Sequence, residues 1–249
     1  MQDSAKTRYD SFAEFYDSWH DRWPANAKAY CVDTLAELAN DQPVLELGVG
    51  TGRIALPLSL KGLHVSGVDN SIKMLDKLRA KPGGDRISTV CANFADVPVD
   101  GPFGLIYVVL SFGYLLTQEE QLGCFINASK KLTEDGSFVI QTVIPKSSIF
   151  NGAGSIDDLF DVPSTDDAET VMLLGSKTNL ERQVIDQRVI VLNETGTQVY
   201  SHKLRYVWPS ELDLMARIAG LKLHARWSNW RREPFTSQSP SQISVYKHG

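Results

Sequence analysis

Cysteine pairs, an excess of positive charge and long apolar runs are scarce or missing in this sequence of 249 residues. Cys31, Cys91 and Cys124 are odd in number and widely spaced, so no disulfide framework is expected, and their apolar neighbours predict small buried side chains. The formal net charge of −5 gives no overall attraction to phosphate backbones. Nucleic acid is therefore not an expected partner.

Membrane and metal signals are also missing. No apolar run reaches the roughly 18 to 20 residues of a membrane span, and the start MQDSAKTRYD lacks the apolar segment of a secretory signal. We therefore expect a cytoplasmic protein with no membrane partner. No metal site is predicted, because the histidines form no close pair at ligand spacing. They are His20, His64, His202, His224 and His248.

Apolar strand-like runs alternate with helical runs over the first 143 residues. The predicted strands are near Val44–Leu47, His64–Val68, Ile87–Cys91, Leu105–Leu110 and Phe138–Val143. The predicted helices are Ala25–Ala39 and stretches near 53–61, 71–80 and 118–132, the last with a capping box of Thr117 and Glu120. Strands separated by helices predict an α/β fold with a doubly wound, mostly parallel sheet.

The pattern changes after Val143. Residues 145–180, rich in Ser, Asp, Gly and Thr, predict loop and short turns, and 180–208 predict two or three antiparallel strands. A helix opened by Pro209 and closed near Gly220 comes next, followed by strands near 221–227 and 241–247. We expect one domain over 1–249, with an N-terminal helical cap (1–40), a ligand-binding core (41–144), a β insertion acting as a lid over the strand ends (145–208), and a C-terminal helix and last strands (209–249).

Three glycines follow the first strand in VLELGVGTGRIA. Gly48, Gly50 and Gly52 form G-x-G-x-G, whereas dinucleotide-binding turns have G-x-G-x-x-G. Glu46 lies two residues before the first glycine, where a carboxylate would repel a pyrophosphate and attract an ammonium or sulfonium group. Two alternatives remain open: a purely structural tight turn, and a nicotinamide oxidoreductase.

Candidate nucleoside contacts follow the second and third strands. Asp69 lies 21 residues after Gly48, close to the spacing at which an acidic side chain meets ribose hydroxyls. Its alternative role is a helix N-cap, which Asn70 or Ser71 would otherwise supply. Asn93 and Phe94 offer an amide and a ring suited to adenine.

These motifs resemble the class I S-adenosylmethionine-dependent methyltransferases. The resemblance rests on VLELGVGTGR, GVDNSIKML, ANFADV, FGLIYVVLSFGYLL and LTEDGSFVI, and it covers about residues 9–143. It implies a Rossmann-like, seven-stranded sheet with an antiparallel last strand and S-adenosyl-L-methionine as the cofactor. The cofactor-binding residues expected from sequence and resemblance together are Tyr9, Tyr16, Glu46, Gly48, Gly50, Gly52, Arg53, Asp69, Asn70, Met74, Asn93, Phe94, Leu110 and Ser111.

Some of these residues have equally simple structural roles. Tyr9 and Tyr16 are seven residues apart, so one helical face carries both. The resemblance implies that this helix folds over the cofactor, with one hydroxyl at the methionine carboxylate and the other ring at the methyl group. The alternative is an amphipathic helix docked on the core. Arg53 pairs either with the cofactor carboxylate or with a surface acid, and Met74 lies either on the adenine or in the core.

The acceptor is predicted from the absence of a base. A hydroxyl acceptor must lose a proton, whereas a neutral amine needs mainly alignment. Ser111 to Tyr114, the segment that borders the methyl group in this family, has no acid or histidine, which slightly favours an amine. His202 and His20, the latter beside Trp19, are the candidate bases, and the alternative for each is a surface or packing residue. The expected catalytic residues are Tyr16, Tyr114 and His202.

The layout also resembles the sugar-amine N-methyltransferases of natural-product pathways, which implies a small-molecule acceptor in an enclosed pocket as the partner. No acceptor-binding motif of those enzymes matches this sequence. A homodimer stays open. A protein of the same fold that binds S-adenosylmethionine without transferring its methyl group is the alternative.

Overall fold

The computed structural model describes Ala13, Tyr16 and Asp17, then residues 25–145, 155–162 and 170–249, without the side chains of residues 25, 155–162 and 170. The helices are α1 (Ala25–Ala39), α2 (Ala55–Leu60), α3 (Ile72–Ala80), α4 (Gln118–Ser129) and α5 (Pro209–Ile218). The strands are β1 (Val44–Leu47), β2 (Val65–Asp69), β3 (Ser88–Cys91), β4 (Phe103–Val109), β5 (Leu132–Val143), β6 (Ser155–Val162), β7 (Thr170–Asn179), β8 (Val184–Asn193), β9 (Gly196–Arg205), β10 (Leu221–Trp227) and β11 (Ser241–His248).

The chain divides into two compact units, Met1–Ile144 with Val207–Gly249, and Pro145–Tyr206. The first unit contains a seven-stranded sheet in the order β10-β11-β5-β4-β1-β2-β3. Strands β1 to β5 pair in parallel, and β11 is antiparallel to both β5 and β10. The predicted seven-stranded sheet with an antiparallel last strand is confirmed. Strand order reverses between β1 and β4, so a ligand is expected at the carboxyl ends of these strands.

Alternating side chains of the central strands fill a core on each face of this sheet. On β4, Ile106 and Val108 face the layer of α4 and α5, whereas Leu105 and Tyr107 face the layer of α1, α2 and α3. Burial on both faces explains why the central strands are almost continuously apolar. Glu46 is the exception on β1, with 4% of its surface exposed.

Helix boundaries follow local capping. Thr117 accepts a hydrogen bond from the Glu120 backbone amide while the Glu120 side chain accepts from Thr117, so the predicted capping box is confirmed. This helix ends at Ser129, three residues before the predicted end, because β5 already begins at Leu132. Helix α5 begins at Pro209, and Gly220 follows its end with a φ of 78°.

The second unit is a four-stranded antiparallel sheet in the order β6-β7-β8-β9. The prediction of antiparallel strands after residue 180 is confirmed, but the prediction that residues 145–180 form loop and turns is wrong, since β6 and β7 lie there. The reason is pairing between strands. Backbone hydrogen bonds from β8 stabilise β7 despite its Gly175, Ser176 and Lys177, and β7 in turn pairs with β6.

The prediction that all three cysteines are buried holds at two of them. Cys31 and Cys124 are buried, but Cys91 is exposed because it ends β3 at the edge of the sheet, so the prediction of three buried thiols is wrong at Cys91.

In the part of the chain that the structure describes, no helix is long and apolar enough to cross a membrane.

A polar cluster joins α5 to the antiparallel edge of the sheet. The Arg226 guanidinium donates to both carboxylate oxygens of Asp213, at 2.5 and 3.2 Å, and the Tyr246 hydroxyl donates to Asp213 Oδ1 at 2.9 Å. Arg226 also donates to Ser244 Oγ at 2.9 Å. The side chains of Arg226 and Asp213 are only 14% and 27% exposed, so solvent screens the pair weakly.

Asp213→Ala is expected to lower the free energy of unfolding by about 2 kcal/mol, because Arg226 keeps its half-buried charge and loses its partner. Urea denaturation followed by circular dichroism measures the change. Asp76→Ala is the matched control, since Asp76 pairs with Arg79 at 3.1 Å on an exposed surface, and its expected cost is below about 0.5 kcal/mol. Equal effects of the two variants would contradict the role given to the cluster.

Candidate functional site

The glycine loop makes a sharp turn at the carboxyl end of β1. Gly48, Gly50 and Gly52 have φ angles of 77°, 53° and 79°, in the left-handed region that L side chains rarely adopt. At Gly48 the space is closed as well: a Cβ would lie 2.6 Å from Ser111 Cβ and 2.8 Å from Ser111 Oγ. The backbone amides of Gly48 and Val49 both donate to Val68 O, at 2.8 and 3.1 Å, which fixes the loop against β2.

Asp69, the last residue of β2, holds the loop through its carboxylate. Its Oδ2 accepts from the Gly50 amide at 2.8 Å, and its Oδ1 accepts from the Ser71 amide at 2.9 Å. Ser71 supplies the N-cap of α3, accepting from the Met74 amide, so the cap is not Asp69. Asp69 is therefore oriented at the glycine loop, where ribose hydroxyls would find a charged acceptor. Asn70 follows it, half-buried.

Glu46 is buried beneath the loop. Tyr107 of β4 donates its hydroxyl to Glu46 Oε2 at 2.8 Å. Burial raises the pKa of Glu46 to about 8, against the lowering effects of the Tyr107 hydrogen bond, the charge of Arg53 and the Ala55 amide, while the Asp69 charge adds to the rise. The same burial raises the pKa of Tyr107 well above its ordinary value, so its hydroxyl keeps its proton. Sequence reasoning treated Glu46 as ionised, whereas this pKa means that it is mostly protonated at pH 7 without a ligand.

Residues after β3 approach the loop from the next strand end. Asn93 is exposed and caps the short 3₁₀ turn Phe94–Asp96, with its Oδ1 accepting from the Ala95 amide at 3.0 Å. Phe94 is 7% exposed, and its Cε1 lies 3.7 Å from the Cβ position of Gly48. Met74 is 2% exposed, the burial that the alternative of a core methionine expects. Contacts of these three side chains with adenine stay predictions.

The end of β4 lies opposite the glycines. Leu110 has a φ of 60°, which is unusual for a bulky side chain and typical of functional turns, and its amide donates to Gln141 O at 3.1 Å. The Ser111 side chain lies against Gly48, where it leaves no room for a Cβ. Tyr114 ends the 3₁₀ turn Phe112–Tyr114 and is half-buried. Ser111 is thus placed at the glycine loop and Leu110 is its neighbour in the chain, whereas Tyr114 lies close enough to Tyr16 to raise the pKa of that hydroxyl.

Tyr16 reaches the same place from the N-terminal segment. Its ring and hydroxyl lie 3.8 to 3.9 Å from the position that a Cβ of Gly50 would occupy. Burial raises the pKa of Tyr16, opposed by the charge of Arg53 and reinforced by Tyr114, Glu46 and Asp69. The structure therefore brings these residues together. Tyr9 lies outside the described residues, so the prediction of a shared helical face is not addressed.

Arg53 ends the loop and is half-buried. Its positive charge opposes the burial that raises the pKa values of Glu46 and Tyr16, so its guanidinium lies among the site residues. The prediction that it meets a cofactor carboxylate is compatible with this place and stays a prediction.

His202 lies in the second unit, on β9. Its Nε2 is 2.9 Å from Gln187 Oε1, across the register of β8 and β9. Burial lowers its pKa to about 4, with the charge of Asp186 acting in the opposite direction. The imidazole is therefore neutral at pH 7. The role of His202 as a catalytic base remains a prediction.

Sequence reasoning missed several residues that shape the loop. Gly67 of β2 lies under it, because a Cβ there would come within 2.7 Å of Val49 Cγ2. Tyr107 supplies the hydroxyl for Glu46 from within an apolar run. The only signal in the sequence is that Tyr107 has the one hydroxyl group in the apolar run FGLIYVV. Its partner Glu46 is 61 residues away, so the sequence does not show the pair. Among the described residues, no group of three or more His, Cys, Asp or Glu side chains is placed to hold a metal ion.

Comparisons with known proteins agree with this geometry. A family model described as a methyltransferase domain matches residues 44–136, which include the glycine loop, Asp69 and Ser111. The solved structure of the CcbJ methyltransferase from Streptomyces caelestis is 35% identical to this chain, covers 99% of this chain and 100% of its own, and has a TM-score of 0.86. The chain belongs to the S-adenosylmethionine-dependent methyltransferases.

Two further relatives are a methyltransferase named for an N-terminus and one named for an amino sugar. The cypemycin N-terminal methyltransferase of a Streptomyces species is 26% identical over 203 residues, 81% of each chain. The S-adenosylmethionine-bound structure of CalS10, an amino pentose methyltransferase from Micromonospora echinaspora, is 17% identical and covers 96% of this chain and 97% of its own. Its TM-score of 0.71 shows a shared fold. The chain is therefore an enzyme of this class with S-adenosylmethionine as its cofactor.

Proposed function

We propose that this methyltransferase transfers the methyl group to an amine nitrogen of a small natural-product acceptor. The observation that carries the proposal is the place of Tyr16 over Gly50, with Tyr114 close enough to raise the pKa of Tyr16, and with no histidine or acid in the segment 111–117 that follows β4. A neutral amine has a lone pair ready for attack, whereas a hydroxyl needs a base.

The residues at the loop fit the cofactor by their chemistry. Asp69 is a charged acceptor for the two ribose hydroxyls. The Glu46 carboxyl group suits the ammonium of the methionine part, and the Arg53 guanidinium suits its carboxylate. The Tyr16 ring lies over Gly50, with its hydroxyl oxygen 3.8 Å from the Gly50 Cβ position, which is ordinary van der Waals contact. When bound, S-adenosylmethionine supplies an electrophilic methyl group on a sulfonium sulfur.

Acids and phenols of the site are poor candidates for the base that a hydroxyl acceptor needs. The Asp69 carboxylate accepts from two backbone amides, and Glu46 accepts from Tyr107 beneath the loop. Burial raises the pKa of Tyr16 above its ordinary value, so its hydroxyl donates a hydrogen bond at neutral pH and does not remove a proton. We assign Tyr16 and Tyr114 to orienting the acceptor beside the methyl group.

His202 supports the same choice. A general base works best when its pKa lies near the working pH, and burial lowers the pKa of His202 to about 4. Such an imidazole holds a proton weakly. One relative is named for an N-terminus and another for an amino pentose, and these two names support an amine here.

A paired-acceptor assay tests the proposal. The enzyme is incubated with methyl-labelled S-adenosylmethionine and with pairs of small molecules that differ only in an amine or a hydroxyl at one position, amino sugars and their hydroxy analogues among them. We expect label on the amine member of at least one pair and none on its hydroxyl counterpart. Label on hydroxyl members alone, or cofactor binding without transfer to any amine, would overturn the proposal.

Cofactor binding at pH 7 is expected to release a proton from Glu46. With a pKa of about 8, this group is mostly protonated in the ligand-free protein, and a neighbouring ammonium group favours its ionised form. Affinity should therefore rise with pH up to about 8 and level off above it. Calorimetry with S-adenosylhomocysteine in buffers of different ionisation enthalpy should detect roughly 0.5 to 1 proton released. Glu46→Gln should release none, and a wild-type value of zero would contradict this linkage.

A further inference from the structure

Three polar side chains join Asp17 to the glycine loop and to the end of α3. They are Asp17, Thr51 and Lys81, and we call them the Asp17 clasp. The Thr51 hydroxyl donates to Asp17 Oδ1 at 2.5 Å, and the Lys81 ammonium lies 2.8 Å from Asp17 Oδ2. Lys81 also donates to the Thr51 carbonyl at 2.9 Å. Each member thus contacts both of the others, which forms a closed cluster.

The clasp joins parts of the chain that are distant in sequence. Thr51 lies between two loop glycines and is fully buried, and Lys81 is the C-cap residue of α3. Burial acts to raise the pKa of Asp17, but the hydrogen bonds from Lys81 and Thr51 and the charges of Lys81 and Lys77 outweigh it and hold the pKa below its ordinary value. Asp17 is therefore ionised at neutral pH, and its bonds to Lys81 and Thr51 are charge-assisted.

The contacts of Asp17 with Thr51 and Lys81 fix the position of the neighbouring residue Tyr16. Ala13, Tyr16 and Asp17 are helical, and Tyr16 and Asp17 come three and four residues after Ala13, so they lie on either side of the face that Ala13 occupies. Ala13 is fully buried on that face, and Tyr16 lies over Gly50. Because Asp17 directly follows Tyr16, a movement of this backbone that lifts Tyr16 from the loop would also pull Asp17 away from Thr51 and Lys81.

We propose that Asp17, Thr51 and Lys81 are positioning residues that retain the cofactor, because they hold Tyr16 over the loop and must separate before the cofactor dissociates. This proposal rests on the proposed cofactor site. It assigns to Lys81 and Asp17 a role in exchange of the cofactor, without contact with the acceptor.

The test compares Asp17→Asn and Lys81→Met with Arg79→Met. Arg79→Met is a matched control, since it removes the same charge two residues from Lys81. Arg79 donates to Asp76 and Thr89 on the exposed side of α3. Dissociation of S-adenosylhomocysteine is followed by chasing preloaded protein with excess unlabelled ligand. We expect each clasp variant to release it about tenfold faster, the double variant no faster than either single one, and Arg79→Met to stay within about twofold of wild type.

A second readout needs no ligand. Amide hydrogen exchange at Tyr16 and Asp17 in the ligand-free protein should accelerate in Asp17→Asn and Lys81→Met, and Lys81→Arg should restore much of the protection. Asp17→Asn preserves size, which keeps the test valid if Lys81→Met folds poorly. Unchanged dissociation in both clasp variants, with normal binding by wild type, would overturn the clasp alone. Failure of wild type to bind S-adenosylhomocysteine would overturn the proposed site together with it.

Discussion

Gly48→Ala is expected to weaken S-adenosylhomocysteine binding by at least about a hundredfold, roughly 3 kcal/mol. An alanine would occupy a φ of 77° and place its Cβ 2.6 Å from Ser111 Cβ, so either the loop or the end of β4 must move. Both movements displace residues predicted to hold the cofactor. Calorimetric titration measures the affinity, and thermal unfolding measures the accompanying loss of stability.

Gly220→Ala separates backbone strain from damage to the site. Gly220 has a φ of 78°, nearly that of Gly48, but a Cβ there would meet no heavy atom within 4 Å. Its expected cost is about 1 kcal/mol of stability, with unchanged affinity. If the two variants bound equally well, the close approach of Ser111 to the loop would have no importance for binding.

Asp69→Ala is expected to lower the affinity for S-adenosylhomocysteine by about 1 to 3 kcal/mol, which is roughly five- to 150-fold. The substitution removes the acceptor predicted for the ribose hydroxyls. It also deprives the Gly50 and Ser71 amides of their partner, at 2.8 and 2.9 Å, which loosens the loop. Titration of the variant by calorimetry measures both effects together.

Asp69→Asn distinguishes the two contributions. The Asn side chain keeps an acceptor oxygen of the same size but loses the charge and one acceptor, so an intermediate affinity is expected. Asp76→Ala, on an exposed face of α3, is the control for lost negative charge and should leave affinity unchanged. An unchanged affinity of Asp69→Ala, in a protein that remains folded, would remove Asp69 from the site.

The sheet of the first unit was largely predictable because local pattern and burial agree there. Residues 44–47 form a strand with the predicted bounds, since a strand buried on both faces is apolar at nearly every position. Helix α1 also has its predicted bounds, Ala25–Ala39. The second unit was only half predictable, because β6 and β7 contain polar residues and depend on pairing with each other and with β8.

The site was predictable where one short motif contains both the residue and the reason for it. Three glycines, Asp69 and Ser111 belong to such motifs, and the structure places all of them at one end of the sheet. Tyr107 and the Asp17 clasp were not predictable. Glu46 and Tyr107 are 61 residues apart, and Asp17 and Thr51 are 34 apart, so only the folded chain shows that these polar groups meet.

Calorimetric titration of the purified protein with S-adenosylhomocysteine, with NADH as the control, shows whether the glycine loop is the cofactor site. We expect a dissociation constant in the micromolar range for S-adenosylhomocysteine and no binding of NADH, because an ammonium group favours the ionised form of Glu46 and so gains a charged partner, whereas a pyrophosphate gains none and disfavours that form. Binding of NADH in place of S-adenosylhomocysteine, or binding of neither, would contradict the account of the glycine loop as the cofactor site.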